Sequence, residues 1–385
     1  MVLPLAVAPA VEPCEYNSDT MKTLPWLLAA LLVSQAAAIP ALAQAQHAPP
    51  VQFTQLGELK LQSGAMIHDF RLGYRTIGTL NAERSNAVLW PTWLGGTTED
   101  LVQFVGPGNV IDSSKYFVVL VDAIGNGISS SPSNSKSQPG GEFPRFTIRD
   151  MVESERRLLT EVLHIQHVRA VMGVSMGGMQ SFEWGMAYPE FMDMILPVLG
   201  SPQSTSYDKL LWTTSIRAIE LDPAWHGGHP TGPPTSGLIL AHLIELMALT
   251  TPDYRVANTP PAKFAELVAT ESGSQQGNAG GAWDHIRQRQ AIIDLDMTAE
   301  FGASLPDLAK RLRPKLLVIV SPQDHMVNPN PAQEFAAAIG APVVLLDSTC
   351  GHLSLSCISV GPVVSVFLRD PASVKSQTMH EKAKP

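Results

Sequence analysis

Residues 168–180 read VRAVMGVSMGGMQ, and this stretch decides the fold. Its first part, 168–172, is a run of β-branched and apolar residues that predicts a strand buried on both faces. The pattern G-x-S-x-G follows at 173–177, with Ser175 at its centre, and a helix is predicted directly after it. A strand, a tight turn with a central serine and a helix in succession are typical of a nucleophile elbow. Small neighbours are expected there, because such a turn leaves little room for side chains.

Outward from this stretch, short Val/Leu/Ile runs alternate with amphipathic stretches, a pattern typical of βαβ units and a mostly parallel sheet. Buried strands are predicted at 87–89, 116–121, 168–172, 194–199, 315–320 and 342–346, and an antiparallel edge hairpin at 51–61 and 66–77. Helices are predicted at 150–163, 176–187 and 331–339. These elements predict an α/β-hydrolase fold with an eight-stranded, mostly parallel sheet flanked by helices.

Residues 203–305 contain no strand-like run, and their helical stretches are joined by Gly/Pro-rich connections. This pattern predicts a helical cap inserted between two strands of the core. The chain then divides into a leader (1–45), the first part of the hydrolase core (46–202), the cap (203–305), the second part of the core (306–370) and a polar tail (371–385).

The leader has the pattern of a secretory signal peptide: Lys22, an apolar run at 24–38 and the small-residue stretch 41–43. We predict a signal peptide from Met21 to Ala43, or to residue 45, and interpret residues 1–20 as a mis-called start. An uncleaved anchor is the alternative, but the run is short and interrupted. The expectation is a secreted or periplasmic protein without stable membrane insertion after cleavage, or a cytoplasmic one if the leader is a false start.

Charge excludes one class of partner. The 385-residue chain has a formal net charge of −9 and 16% charged residues, and no Lys/Arg cluster of the kind that tracks phosphates is visible. We therefore predict no binding to nucleic acid, and an acidic surface also disfavours docking on anionic lipid.

A serine nucleophile needs a base, and the base needs an orienting acid. In this fold the chain order is serine, acid, histidine. Asp324 follows the strand-like run 315–320, and His352 follows the run 342–346, so each of these strands delivers one residue. We predict a catalytic triad of Ser175, Asp324 and His352.

Other residues compete for the two supporting positions. Asp347 is the rival acid, although it follows the same strand as the histidine and also suits a turn or a helix cap. His325 and His380 are the rival bases, the first beside the acid and the second in the polar tail.

An oxyanion hole requires two backbone N–H donors. Met176, directly after the nucleophile, is predicted to supply one, and Leu94 in the loop after the third strand the other. Trp93, Gly95 and Gly96 in that loop are predicted to contact substrate, because glycines let the backbone approach an acyl group closely. A plain turn is the alternative interpretation of the loop.

No metal or cofactor is predicted. His226 and His229 lie in a Gly/Pro-rich cap loop, without a third histidine or a carboxylate nearby to complete a ligand set. Trp212, Trp225 and Trp283 are interpreted as cap core, although some could line an acyl pocket. Two further residues, Cys350 and Cys357, bracket His352; a disulfide and two buried thiols are both open.

The motifs NVID at 109–112, FTIRDM at 146–151, SMGGMQ at 175–180 and DPAW at 222–225 resemble those of the homoserine O-acetyltransferase family of α/β hydrolases. The resemblance extends from about residue 55 to 368. It implies the same three catalytic residues, a helical cap and pairing through the cap, so a homodimer is an open option.

The chain departs from this family at three positions. Leu353 stands where the family has an Asp that holds the substrate amino group, and Ile216 where it has a substrate-binding Arg, with Arg217 one step along. The elbow has Val174 in place of a glycine. The first two changes remove charged partners that an amino-acid substrate needs.

We therefore predict an exported serine hydrolase that cleaves an ester, thioester, lactone or amide as its small-molecule substrate. The alternative is a homoserine O-acetyltransferase-like acyltransferase that moves an acetyl group from acetyl-CoA to an alcohol by a ping-pong reaction. A third option is a non-catalytic binding protein with the same fold. The predicted leader favours hydrolysis, because acetyl-CoA and homoserine are cytosolic metabolites.

Overall fold

The computed structural model describes residues 48–276 and 281–381. The predicted leader, the signal-peptide boundary and the interpretation of residues 1–20 lie outside the described residues. Within them no single helix is long and apolar enough to cross a membrane, although two bent helix pairs (Thr235–Leu249 with Pro252–Asn258, Gly351–Cys357 with Gly361–Arg369) together meet that criterion by length and composition.

Strands of the described ranges form one sheet in the order β1-β2-β4-β3-β5-β6-β8-β9-β10, with β7 beside β6. Their bounds are β1 Gln52–Lys60, β2 Met66–Ile77, β3 Ala87–Pro91, β4 Phe117–Val121, β5 Val168–Val174, β6 Met192–Val198, β7 Lys315–Leu316, β8 Val318–Val320, β9 Val343–Asp347 and β10 Gln377–His380. Strand β2 pairs antiparallel with β1 and β4, and the other pairs are parallel. The predicted edge hairpin and the mostly parallel sheet are confirmed.

The predicted strand number of eight was wrong. The predicted run 315–320 is one strand in two segments, interrupted at Leu317, whose N–H donates to Ile195 O at 3.1 Å. The additional strand is β10, which lies in the predicted polar tail and pairs with β9. Without β10 the backbone groups on that side of β9 would form an open sheet edge, and the pairing covers it.

Helices flank the sheet and fill the insertion. Their bounds are α1 Thr98–Val102, α2 Ile148–Arg157, α3 Met176–Ala187, α4 Ser206–Glu220, α5 Thr235–Leu249, α6 Pro252–Asn258, α7 Phe264–Gln276, α8 Ala282–Asp294, α9 Met297–Phe301, α10 Leu305–Arg311, α11 Asn330–Ala337, α12 Ser354–Cys357 and α13 Gly361–Arg369. Helix α2 begins at a capping box between Thr147 and Asp150 and continues as a π-helical turn, Leu158–Val162.

The helical cap leaves and rejoins the core at one narrow neck. There Ser204 N–H donates to Leu295 O at 3.0 Å, and Gln203 Nε2 donates to Asp296 Oδ1 at 2.9 Å. Helices α9 and α10 follow the neck, and their residues Met297 and Leu308 are buried in the core. These contacts bring the two ends of the helical segment α4 to α8 together, and the predicted boundaries of the cap at 203 and 305 stay predictions.

Side chains from the sheet bury into a separate apolar layer on each face. Along β5, Val171 packs with one layer while its neighbours Ala170 and Met172 pack with the other. Alternation of this kind is expected for a strand covered on both faces.

A carboxyl group is buried behind the sheet. Glu155 on α2 is fully buried, and its Oε2 accepts a hydrogen bond of 2.6 Å from Trp184 Nε1. Burial raises the pKa of this carboxyl from its ordinary value of 4.5 to about 8, against the smaller lowering by the Trp184 bond. Burial therefore favours the neutral form of Glu155 in the folded protein.

Replacement Glu155→Gln is expected to flatten the decline of stability with rising pH. The stabilisation from a neutral carboxyl is complete below about pH 4.5 and is lost as the pH rises toward 8, since the unfolded chain ionises first. One group of this kind changes the free energy of unfolding by about 1.4 kcal/mol per pH unit. Denaturant unfolding at pH 5, 6.5 and 8 measures the slope. Glu161→Gln, at an exposed site in the π-helical turn that follows α2, is the control. Parallel curves for Glu155→Gln and the unmodified protein would contradict the expectation.

Candidate active site

Ser175 lies in the turn between β5 and α3 with φ 57° and ψ −122°, a backbone conformation that is strained for a serine. Its N–H donates to Val198 O at 2.9 Å, which ties the turn to β6. A Cβ on Gly173 would lie 2.1 Å from Gly177 O, and a Cβ on Gly177 would lie 2.6 Å from Pro91 O. Both positions therefore require glycine because backbone approaches backbone there.

Two hydrogen bonds join the predicted nucleophile, base and acid. His352 Nε2 lies 2.9 Å from Ser175 Oγ, and His352 Nδ1 lies 2.7 Å from Asp324 Oδ2. The other oxygen, Asp324 Oδ1, accepts from the N–H groups of Met326 and Val327, each at 2.9 Å. These backbone bonds fix the carboxylate, so that its free oxygen faces the imidazole.

The rival residues lie elsewhere. Asp347 is the last residue of β9, where its carboxylate is 3.1 Å from His380 Nδ1 on the edge strand β10, and both side chains are more than half exposed. His325 is exposed beside Asp324. The structure therefore brings together Ser175, His352 and Asp324 and keeps the alternatives apart from them.

The loop that carries His352 is closed by a disulfide between Cys350 and Cys357, whose Cα atoms lie 6.6 Å apart. Ser354 Oγ also donates to Gly351 O at 2.6 Å inside this loop. Of the two options that the sequence left open, the structure shows the bridge. It encloses the histidine in a short covalent loop.

The two predicted oxyanion donors lie on segments that one side chain connects. Met176 is the first residue of α3, where a backbone N–H has no partner within the helix and the helix dipole is positive. Leu94 is in a turn closed by a 3.1 Å bond from Gly96 N–H to Trp93 O. The buried Gln180 donates to Thr92 O at 3.1 Å and to Met176 O at 3.2 Å, and so holds the two segments together.

A cavity of about 880 Å³ opens in front of these groups. Ser175 and His352 line it. The predicted oxyanion donor Leu94 also lines it, as do the predicted substrate contacts Trp93, Gly95 and Gly96. The Met176 side chain is buried in the core, so a contribution of this residue to the site would come from its backbone N–H. Trp212 also lines the cavity. The rings of Trp225 and Trp283 pack on each other in the cap, with their centroids 4.7 Å apart.

Sequence reasoning missed the polar wall that the cap contributes. Arg289 on α8 holds the carboxylate of Glu245 on α5, with Nε and Nη2 each 2.7 Å from an oxygen. Arg289 Nη1 lies 3.1 Å from His285 Nδ1, and burial, with the charge of Arg289, lowers the pKa of His285 to about 4. Asp284 accepts from Ser133 N–H at 2.9 Å, and burial raises its pKa to about 6.

A signal for this wall was present in the sequence. Asp284, His285, Gln288 and Arg289 recur at helical spacing, which places them on one face of α8. The predicted cap-loop histidines, His226 and His229, are exposed and are not among the residues that line the cavity.

Residues 94–226 match the family model described as alpha/beta hydrolase fold. The ethyl acetate hydrolase of Pseudomonas veronii is 38% identical over 181 residues, which are 46% of this chain and 52% of that protein. The homoserine O-succinyltransferase of Janthinobacterium sp. (strain Marseille) is 31% identical over 323 residues, 73% of this chain and 82% of that protein. The solved acetyl esterase MekB superposes with a TM-score of 0.77 at 26% identity, covering 83% of this chain and 97% of the esterase.

The fold, the cavity and these relatives define an α/β-hydrolase-fold enzyme. The chain belongs to the homoserine O-acetyltransferase-like family of α/β hydrolases, as its motifs predicted. The chain spans about half the length of two curated relatives, the ethyl acetate hydrolase and the probable esterase Cgl0839 of Corynebacterium glutamicum, with 52% of each covered.

Removal of the disulfide is expected to lower stability. The double variant Cys350→Ser/Cys357→Ser opens a loop of 7 residues, and loop-closure entropy predicts a loss of about 2 kcal/mol in the free energy of unfolding. Denaturant unfolding of both proteins, each with and without reductant, measures it. Reductant should destabilise the unmodified protein and leave the double variant unchanged; an equal effect on both would show that the bridge is not responsible.

Proposed function

We propose that the protein is an exported serine hydrolase that cleaves a neutral ester, or a related thioester, lactone or amide, through an acyl-enzyme on Ser175. The observation that carries this proposal is the chain of short hydrogen bonds from Ser175 Oγ through the His352 ring to Asp324. This arrangement is the one that acyl transfer by serine requires.

In the proposed reaction, Ser175 Oγ attacks the carbonyl carbon while His352 Nε2 takes the hydroxyl proton. Asp324 Oδ2 accepts a hydrogen bond from His352 Nδ1–H, which fixes the tautomer and stabilises the imidazolium, and the proton stays on the ring. The backbone N–H groups of Leu94 and Met176 stabilise the oxyanion of the tetrahedral intermediate. His352 then gives its proton to the leaving alcohol. Water, deprotonated by the same nitrogen, then attacks the acyl carbon. The bond to Ser175 Oγ breaks, and His352 returns the proton to that oxygen, which regenerates the enzyme and releases the acid.

The charge of the cavity wall supports a neutral substrate. Arg289, the one Lys or Arg among the described lining residues, is paired with Glu245 and is 5% exposed. His242 is paired with Glu271 at 2.8 Å. A substrate carboxylate would have to break one of these pairs, at a desolvation cost that a neutral ester avoids.

The positions that depart from the transferase motifs support the same conclusion. Leu353 lines the cavity with an apolar side chain beside His352. Ile216 is buried in the apolar core of the cap, and Arg217 is on the surface, paired with Glu220. None of these three positions offers a charged group to an amino-acid substrate inside the cavity.

Acyl transfer to an alcohol is the second candidate function. The match over 82% of a homoserine O-succinyltransferase favours it, and the same acyl-enzyme would serve both reactions. Export favours hydrolysis, because an exported protein has no acetyl-CoA. The predicted signal peptide supports export, as does the Cys350–Cys357 bridge, since disulfides persist in oxidising compartments.

A time course of p-nitrophenyl acetate and butyrate cleavage tests the proposal. We expect sustained turnover by the mature protein and a loss of at least about 10³-fold in Ser175→Ala, since the nucleophile is removed. Ser206→Ala, on the exposed start of α4, is the control.

Two other outcomes have distinct meanings. A burst of about one equivalent of nitrophenol that then stalls would show an acyl-enzyme for which water is a poor acceptor, and would favour the transferase. Cleavage that Ser175→Ala leaves intact would overturn the serine mechanism itself.

A further inference from the structure

The side-chain amide of Gln288, on cap helix α8, is bonded at both ends to core loops. Its Oε1 accepts the N–H of Gly95 at 2.9 Å, and its Nε2 donates to Ile124 O at 3.0 Å. Gln288 is 1% exposed, so water does not compete for these bonds. The loop after β3 and the loop after β4 are therefore both tied to the cap through one residue.

The first of these bonds bears on the orientation of the Leu94 N–H. This N–H belongs to the same peptide unit as Trp93 C=O, and the two groups of a trans peptide point in opposite directions. Trp93 O accepts from Gly96 N–H inside the turn, so Leu94 N–H must point out of the turn. The direction in which it points depends on how the whole turn is held.

Two side chains hold this turn from outside. Gln288 binds Gly95 N–H, and Asn126 donates to Gly96 O at 3.0 Å. The bond to Gln288 occupies the Gly95 N–H, and the Gly96 N–H is bonded to Trp93 O. Among these three residues of the described chain, Leu94 therefore has the N–H that remains available to a substrate. Gly95 has φ 68°, so the turn has a glycine at a central position, where the backbone has more conformational freedom than at other residues.

We propose that Gln288 is a positioning residue of the oxyanion hole, through which the cap sets the direction of the Leu94 N–H. It acts through the turn and not by contact with the reacting atoms. The cap then contributes to stabilisation of the transition state as well as to the walls of the cavity. This inference rests on the proposed serine mechanism.

The test compares Gln288→Met, which keeps the side-chain length and removes both hydrogen bonds, with Gln290→Met on the same helix. Gln290 is partly exposed and bonds to Arg287 at 2.9 Å, away from the turn. Ester hydrolysis gives kcat and KM for each. The inhibition constant of an alkyl trifluoromethyl ketone, to which the serine adds to form a tetrahedral oxyanion, measures affinity for an analogue of the intermediate. The inhibition constant of the alcohol product measures affinity for a ligand without an oxyanion.

For Gln288→Met we expect kcat to fall about 10- to 100-fold, which is no more than the fall in kcat when an oxyanion donor is removed. We expect KM to change by less than about 3-fold. Affinity for the ketone should fall in parallel with kcat, and affinity for the alcohol should not. Gln290→Met should match the unmodified protein. If Gln288→Met does not fold, Gln288→Ala, which leaves room for water, replaces it.

A rise in KM and a loss of alcohol affinity at unchanged kcat would show that Gln288 only shapes the cavity, and would overturn the inference. Unchanged kinetics in a folded Gln288→Met would do the same. Either result leaves the serine mechanism intact, because Ser175→Ala tests that mechanism independently.

Discussion

The strained backbone at Ser175 is the constraint on which the rest of this structure depends. A non-glycine residue at φ 57° costs about 1–3 kcal/mol, and it persists only where its surroundings impose it. Here the hydrogen bond to Val198 and the contacts of Gly173 and Gly177 with neighbouring backbone impose it. The strain lifts the hydroxyl clear of the sheet at the start of α3, where the helix dipole favours negative charge.

The other parts of the site reach Ser175 because parallel strands end at the same edge of the sheet. The loops after β3, β8 and β9 carry Leu94, Asp324 and His352, and each is held locally before it meets the serine. Asp324 is fixed by two backbone N–H groups, the histidine by its disulfide-closed loop, and the 93–96 turn by side-chain amides. A site assembled in this way needs little rearrangement when substrate arrives.

Local signals allowed the sequence to predict the elements that carry the chemistry. The Val/Leu/Ile runs, the G-x-S-x-G turn and the residues just past two strand ends placed most strands and the three hydrogen-bonded residues correctly in space. What escaped prediction depends on contacts between distant segments. Arg289 and Glu245 are 44 positions apart, and Gln288 and Gly95 are 193 apart. The four residues of β10 become a strand only because β9 offers an unpaired edge.

The narrow neck of the cap has a consequence for how this enzyme could be altered. Both ends of the insertion leave the core side by side, at Ser204 and Leu295, so a different set of helices could be grafted there without changing the path of the core chain. Such a chimera would inherit the nucleophile, base and acid intact. It would lose the amide that Gln288 supplies to Gly95, and a transplanted cap would therefore have to carry an equivalent group at that point. With the role proposed for Gln288, a change of cap would alter the rate of the reaction as well as the choice of substrate.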